Sequence, residues 1–115
     1  MNEIIEETIN PAVEFIRKMK SKDKVVIIHG HDNDSICSAA ILYKFLKNFK
    51  VETKLVVSGL NSSVTEDALE KIKKIKPNYV IIVDISEVNV NIMTELRNIS
   101  QVMIVDHHVP KGYVK

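Results

Sequence analysis

Short runs of consecutive apolar residues limit the folds that are open to this chain. Three of them are VVIIHG at residues 25–30, YVIIVD at 79–84 and QVMIVD at 101–106, and a weaker candidate is ETKLVVS at 52–58. An unbroken β-branched run predicts a strand that is covered on both faces. Such strands are typical of parallel sheets with helices packed on either side.

Helical patterns separate these runs. From Ser35 onward apolar residues recur on one helical face, and Ser63 and Glu66 have the spacing of a capping box that opens a helix ended by Pro77. Residues 90–98 form a third, weaker pattern, and an earlier helix is expected to begin at Asn10 and Pro11. The alternation predicts an α/β, Rossmann-like three-layer domain with a mostly parallel sheet of about four strands.

Length and composition favour a single soluble domain over residues 1–115. The chain carries a formal net charge of +1, so its overall charge does not indicate a nucleic-acid partner. Cys37 is the single cysteine, which excludes an intrachain disulfide, and we expect it to be a small core residue. The acidic N-terminus is unlike a signal peptide, and no apolar run is long enough to cross a membrane. We therefore expect a cytoplasmic protein with no membrane partner.

Acidic residues and histidines follow three of the four predicted strands. Because the carboxyl ends of parallel strands share one edge of the sheet, where ligands bind, we expect these side chains to converge. Gathered carboxylates repel one another, and cations relieve that repulsion. Oxygen ligands mixed with imidazole suit Mn²⁺ or Mg²⁺ better than zinc, and two ions suit phosphoryl chemistry. The residues concerned are Asp32, Asp34, Asp84, Asp106, His107 and His108.

Each of these residues also has a structural interpretation. Asp32 and Asp34 could simply cap the helix that begins near Ser35, and Asp84 could be a turn residue. Alternatively, free backbone amides at that helix start could hold a phosphate oxygen. His29 could face the site or the sheet, and His31 lies beside Asp32 on the loop. The matching positions at three strand ends favour a functional site.

Four lysines on one predicted helix have two interpretations as well. They most simply form its solvated face, and a role in docking nucleic acid ranks second. They are Lys71, Lys73, Lys74 and Lys76.

Three motifs in order resemble those of the DHH phosphoesterase family. They are HDNDSICSA at residues 31–39, VDIS at 83–86 and DHH at 106–108. The resemblance covers about residues 24–110, and the combination of motifs is specific. It implies a two-manganese phosphoesterase, with Mg²⁺ as a possible substitute.

The resemblance also implies roles for individual residues. Asp32 and Asp34 would each bind a different ion, Asp84 would bridge both ions, and His107 would be a further ligand. Asp106 would be a ligand or would orient a histidine, and His108 would contact the substrate phosphate, so these two are the candidate catalytic residues. Ser35 and Ser38 would bind substrate.

Three departures from the family pattern refine this expectation. Ser35 stands where the family usually has glycine. The pyrophosphatase and oligoribonuclease branches place a histidine four residues before the first Asp, where this chain has Ile28. That difference favours the RecJ-like branch of single-strand exonucleases. The sequence also stops before the family's fourth motif, a further metal-binding Asp, and before its C-terminal substrate-binding domain.

Three functions are therefore open. The first is a Mn²⁺-dependent, RecJ-like exonuclease that hydrolyses single-stranded DNA or RNA, or short oligonucleotides, in DNA repair. The second is a catalytically incomplete module that binds a protein in a replication or repair assembly. The third, from fold alone, is a nucleotide-binding domain without metals. A C-terminal domain or a partner protein could complete the site, so we expect weak Mn²⁺ binding and little nuclease activity from these 115 residues alone.

Overall fold

A computed structural model describes residues 13–58, 64–83, 85 and 88–105. Residues 13–17 are helical, and strands and helices then alternate along the chain. The predicted alternation is confirmed. The elements are β1 (Lys24–His29), α1 (Asn33–Lys47), β2 (Glu52–Val57), α2 (Glu66–Ile75), β3 (Tyr79–Val83), α3 (Val90–Ile99) and β4 (Gln101–Val105).

The four described strands form one sheet in the order β2-β1-β3-β4, and every neighbouring pair is parallel. Ile27 of β1 lies opposite Leu55 on one side and Ile81 on the other. After β1 the chain passes to β2 on one side of the sheet, and after β3 it passes to β4 on the other side. The carboxyl ends of β1 and β3 therefore flank the point where the strand order reverses, which is where open α/β sheets bind ligands.

Each face of the sheet carries its own apolar core. Val26, Ile28, Val80 and Ile82 point to one face, where they pack with α2 and α3. The alternate residues of the same strands point to the other face, which α1 and part of the N-terminal segment cover. The three-layer α/β architecture predicted from the sequence is confirmed. No helix within the described ranges is long and apolar enough to span a membrane.

The N-terminal segment is held to the sheet by Tyr79. The ring of Phe15 meets the ring of Tyr79 edge to face, with centroids 5.4 Å apart. The Tyr79 hydroxyl donates a 3.0 Å hydrogen bond to the carbonyl oxygen of Lys18. The predicted start of this helix, at Asn10 and Pro11, lies outside the described residues.

Helix α2 begins later than the sequence suggests. Its N-cap is Thr65, whose Oγ1 accepts a 3.2 Å hydrogen bond from the amide of Ala68, so the capping box predicted at Ser63 and Glu66 is wrong. The amide of Thr65 in turn donates to Ser58 Oγ at the end of β2, which fixes the entry to the helix. The helix ends at Ile75, and its C-cap is Lys76, whose φ of 56° is left-handed, immediately before Pro77.

The two outer strands are less buried than their apolar sequences predict. All five residues of β3 are buried, whereas Ile104 and Val105 of β4 are about half exposed. Leu55 and Val57 of β2 are also exposed. They lie on the same face of the sheet as α1, but α1 covers that face only near the centre of the sheet. An apolar run therefore marked strands correctly but did not distinguish central strands from those at the ends of the described sheet.

Candidate functional site

The predicted site lies at the carboxyl-terminal edge of the sheet. Val83 of β3 and Val105 of β4 are paired in register, and in the sequence they directly precede Asp84 and Asp106. Asp84, Asp106, His107 and His108 lie outside the described residues. Their convergence with the loop that follows β1 therefore stays a prediction, which the parallel register of the strands supports.

Asp32 is the N-cap of α1. Its backbone is extended (φ −76°, ψ 167°), and its Oδ1 accepts a 2.7 Å hydrogen bond from the amide of Ser35. The capping interpretation of Asp32 is thus confirmed. Both oxygens of a carboxylate are acceptors, so the cap uses one of them and leaves Oδ2 of this exposed side chain for a further partner. Capping and metal binding are therefore compatible at Asp32.

Helix α1 begins at Asn33, two residues before the predicted start, and this changes the expected phosphate site. The amide of Ser35 already donates to Asp32 and is therefore not one of the free amides expected to hold a phosphate oxygen. Phosphate binding at this helix start stays a prediction. The amides without an intrahelical acceptor at this end are those of Asn33 and Asp34, the first two helical residues. Asp34 lies in the first turn with its side chain exposed, next to Asp32 at the same edge.

Ser35 and Ser38 have different environments, although both were predicted to bind substrate. Ser35 is 0% exposed and packs against Gly30, where an added Cβ would lie 3.1 Å from Ser35 Oγ. That burial favours a structural role for Ser35. Ser38, one turn further along α1, is exposed. Substrate contact by either serine stays a prediction, and the geometry favours Ser38.

The two histidines near β1 also differ. His29 ends the strand, half buried, on the α1 side of the sheet, and its Nδ1 lies 2.9 Å from the carbonyl oxygen of Gly30. Because a carbonyl can only accept, this contact favours the neutral tautomer in which Nδ1 donates, and in that tautomer Nε2 has the lone pair that a metal-binding histidine needs. His31 is exposed on the loop. A ligand role for either histidine stays a prediction.

The residues that follow β1 do not form a metal centre by themselves. Within the described ranges, no three His, Cys, Asp or Glu side chains are grouped so that they could hold a metal ion. Cys37, which we expected in the core, is exposed on α1, so that expectation is wrong. Asp84, Asp106 and His107, the other predicted ligands, follow β3 and β4 in the sequence and lie outside the described residues, so a metal centre at this edge stays a prediction.

Gly30 is a contributor that the sequence analysis did not single out. It lies between the end of β1 and the loop that carries Asp32, and it is buried against the first turn of α1. The absence of a side chain lets the helix start approach the strand end closely. The glycine immediately after the apolar run was the available signal.

The sequence was also compared with models of known protein families and with curated proteins. The sequence matches the N-terminal domain of the DHH family over residues 24–115, from the first residue of β1 onward. No curated protein matches the sequence. The match covers most of the chain, all four described strands and the three motifs at their carboxyl ends, and the DHH family is of phosphoesterase type. The chain therefore belongs to the DHH family.

Proposed function

We propose that this chain is a metal-dependent phosphoesterase of the RecJ-like branch, which hydrolyses phosphodiester bonds at the ends of single-stranded DNA or RNA. The observation that carries the proposal is the placement of Asp32 and Asp34 at the carboxyl end of β1, beside β3, in a chain that matches the DHH family. Carboxylates at this point of an α/β sheet are well placed to bind cations and a phosphate group.

Two Mn²⁺ ions, or Mg²⁺ ions, fit the donors available at this edge. Oδ2 of Asp32 and the exposed carboxylate of Asp34 would be ligands, joined by Asp84, Asp106 and His107. Two such ions supply Lewis acidity and a more acidic water molecule for an in-line displacement. His108 would hold the substrate phosphate, and the Asp32 cap would fix the position of the loop relative to α1.

The environment of Ile28 supports the RecJ-like branch. Ile28 stands where the pyrophosphatase and oligoribonuclease branches place a histidine, and it is fully buried in the core formed with α2 and α3. An imidazole there would need a polar partner within an apolar layer. The first motif therefore lacks a histidine ligand at this position, and the next residue in the sequence, His29, places its imidazole on the opposite face of β1.

Calorimetric titration with Mn²⁺ tests the proposal. We expect wild-type protein to give a binding heat, Asp84→Asn to weaken binding about tenfold or more, and Asp67→Asn on α2 to leave it unchanged. In parallel, an end-labelled single-stranded oligonucleotide should be cut slowly, and only when Mn²⁺ is present. The proposal is wrong if Mn²⁺ neither binds nor supports any cleavage at high protein concentration.

The exposed apolar residues of α1 favour a second candidate, a module that binds another protein. Ile41 is 71% exposed and lies one turn from the exposed Phe45. Large exposed apolar side chains that cluster in this way are typical of protein interfaces. This candidate predicts that Ile41→Lys abolishes partner binding while Mn²⁺ binding is retained. Cleavage of the oligonucleotide by this chain without any partner would argue against it.

A further inference from the structure

A cleft lies at the end of the sheet opposite to the candidate functional site. Residues that precede β1, end or follow α1, and begin β2 surround an open cleft of about 550 Å³, which we call the lysine cleft. β1 is six residues long, so the cleft is about 20 Å from the edge that carries Asp32. The lining residues are Lys22, Lys47, Lys50, Val51, Glu52 and Thr53.

The lysine cleft carries three lysines and one carboxylate, that of Glu52, so its lining has a formal charge of +2 from +3 and −1. Among the residues that the structure describes, no carboxylate lies within 4.0 Å of the ammonium group of Lys22, Lys47 or Lys50. Lys73 on α2 is different, because its Nζ lies 2.7 Å from Glu95. The Lys47 ammonium lies over the Tyr43 ring, 5.3 Å from its centroid. An excess of positive charge around one concave surface concentrates positive potential there, although the net charge of the chain is only +1.

The backbone at two of these lysines is unusual. Lys22 and Lys50 have φ values of 82° and 61°, a region that glycine adopts without strain. Their segments are joined, since the amide of Lys22 donates to the carbonyl oxygen of Lys50. Lys76 is also left-handed but lies outside the cleft, so the conformation alone does not mark a site. What distinguishes Lys22 and Lys50 is that both side chains line the same cleft.

Two exposed phenylalanines are close in the sequence to the lysines of the cleft. Phe49 directly precedes Lys50 and is 48% exposed, and Phe45 is 47% exposed. Their rings meet edge to face with centroids 5.0 Å apart, whereas the remaining phenylalanine, Phe15, packs on Tyr79. Lysines interleaved with exposed aromatic residues are typical of surfaces that hold single-stranded nucleic acid, where ammonium groups contact phosphates and rings stack on bases.

We propose that the lysine cleft and Phe49 form a binding site for single-stranded nucleic acid, with phosphates in the cleft and a base on the ring. The choice of ligand rests on the proposed function. The site itself lies at the other end of the strands from the predicted metal ligands, so it does not depend on metal or on hydrolysis. An acidic protein segment could also satisfy the lysines, but it would offer no base to stack on Phe49, and the test below distinguishes the two ligands.

Fluorescence anisotropy with a labelled oligothymidylate, in EDTA at low salt, tests the site. The cleft variant combines Lys22→Gly, Lys50→Gly and Lys47→Gln, because glycine suits the two left-handed positions. We expect at least about tenfold weaker binding and a salt dependence reduced by about 2 in log–log slope, from the loss of three phosphate contacts.

A control variant with the same loss of charge combines Lys71→Gln, Lys74→Gln and Lys76→Gly. These residues are exposed on or just after α2, and Lys76 is itself left-handed. We expect wild-type affinity and salt slope. Circular dichroism and thermal unfolding of both triple variants establish that they are folded. An equal loss of binding in the two variants would mean that only total charge matters and would overturn the site.

Two further measurements complete the test. Phe49→Ala should weaken binding severalfold without changing the salt slope, because stacking releases no counterions. Unchanged affinity would overturn the stacking role. An oligoglutamate peptide that binds the cleft as tightly as the oligonucleotide, or wild-type protein that binds no oligonucleotide at all, would overturn the choice of nucleic acid. Since EDTA is present throughout, neither result bears on Mn²⁺-dependent cleavage, which the calorimetric and cleavage assays test separately.

Discussion

The Oδ1 atom of Asp32 lies 2.7 Å from the amide nitrogen of Ser35 and accepts its hydrogen bond. This contact makes the first acidic residue of the candidate site the N-cap of α1 as well. The loop that follows β1 is therefore fixed by the helix that it precedes. A carboxylate held in this way loses little further conformational freedom when its second oxygen binds a cation.

The two roles of Asp32 can be separated by substitution. Asp32→Ala should destabilise the fold by about 1 kcal/mol, because the cap is lost. Asp32→Asn should keep nearly wild-type stability, since asparagine caps helices as well as aspartate does. Chemical denaturation measures this difference. In calorimetry both variants should lose Mn²⁺ affinity, and an Asp32→Asn protein that binds Mn²⁺ normally would remove Asp32 from the ligand set.

The close approach of Gly30 and Ser35 predicts an energetic coupling between them. Gly30→Ala should cost about 1 kcal/mol, because the new Cβ would lie 3.1 Å from Ser35 Oγ in a fully buried contact. In a Ser35→Ala background the nearest remaining side-chain atom is the Cβ, at 3.7 Å, so the same substitution should cost less. A double-mutant cycle by urea denaturation measures the coupling. Strictly additive effects would show that the neighbouring backbone gives way instead.

Tyr79 should make stability depend on pH above about 10. Burial, and then the charge of nearby Asp23, raise the pKa of Tyr79 above its usual value. The folded state therefore keeps the phenolic proton at pH values where the unfolded chain has lost it, and stability falls as pH rises from about 10 towards the folded pKa. Below that range the contribution is constant.

Comparison with Tyr79→Phe isolates this effect from the titration of the lysines. At pH 8 the variant should be less stable by about 1 kcal/mol, because the hydrogen bond to Lys18 is lost. The difference between wild type and variant should shrink between pH 10 and 11. Thermal unfolding followed at several pH values measures it, and a constant difference across that range would contradict the assignment.

Cys37 should react as an accessible thiol. It is exposed on α1, so a thiol reagent such as dithionitrobenzoate should modify it in the native protein without prior unfolding. The reaction rate should be independent of stability, and destabilising variants such as Gly30→Ala should not accelerate it. A rate that follows the unfolding equilibrium would place the thiol in the core, as its apolar helical neighbours had suggested.

The amino-acid sequence predicted the strands that position the candidate site and the edge of the sheet on which it lies. Unbroken runs such as VVII and YVIIV predict buried parallel strands, and the acids after them predict one functional edge, because parallel strands end together. The role of Asp32 as a cap was also an open alternative in the sequence, since capping depends on residues only three positions apart.

The remainder depended on contacts between distant parts of the chain. The sequence did not specify that β3 pairs with β1 and not with β2. This pairing places the reversal of strand order beside Asp32. The sequence suggested a core position for Cys37 and substrate contact for Ser35, whereas in the structure Cys37 is exposed and Ser35 is buried, because the rotation of the helix about its axis decides which face packs. The lysine cleft is another long-range feature, because Lys22 and Lys50 are far apart in the sequence but line the same cleft and are joined by a backbone hydrogen bond. Local sequence determined the elements and their caps because those interactions span a few residues, whereas strand order, helix rotation and the cleft were decided by long-range packing.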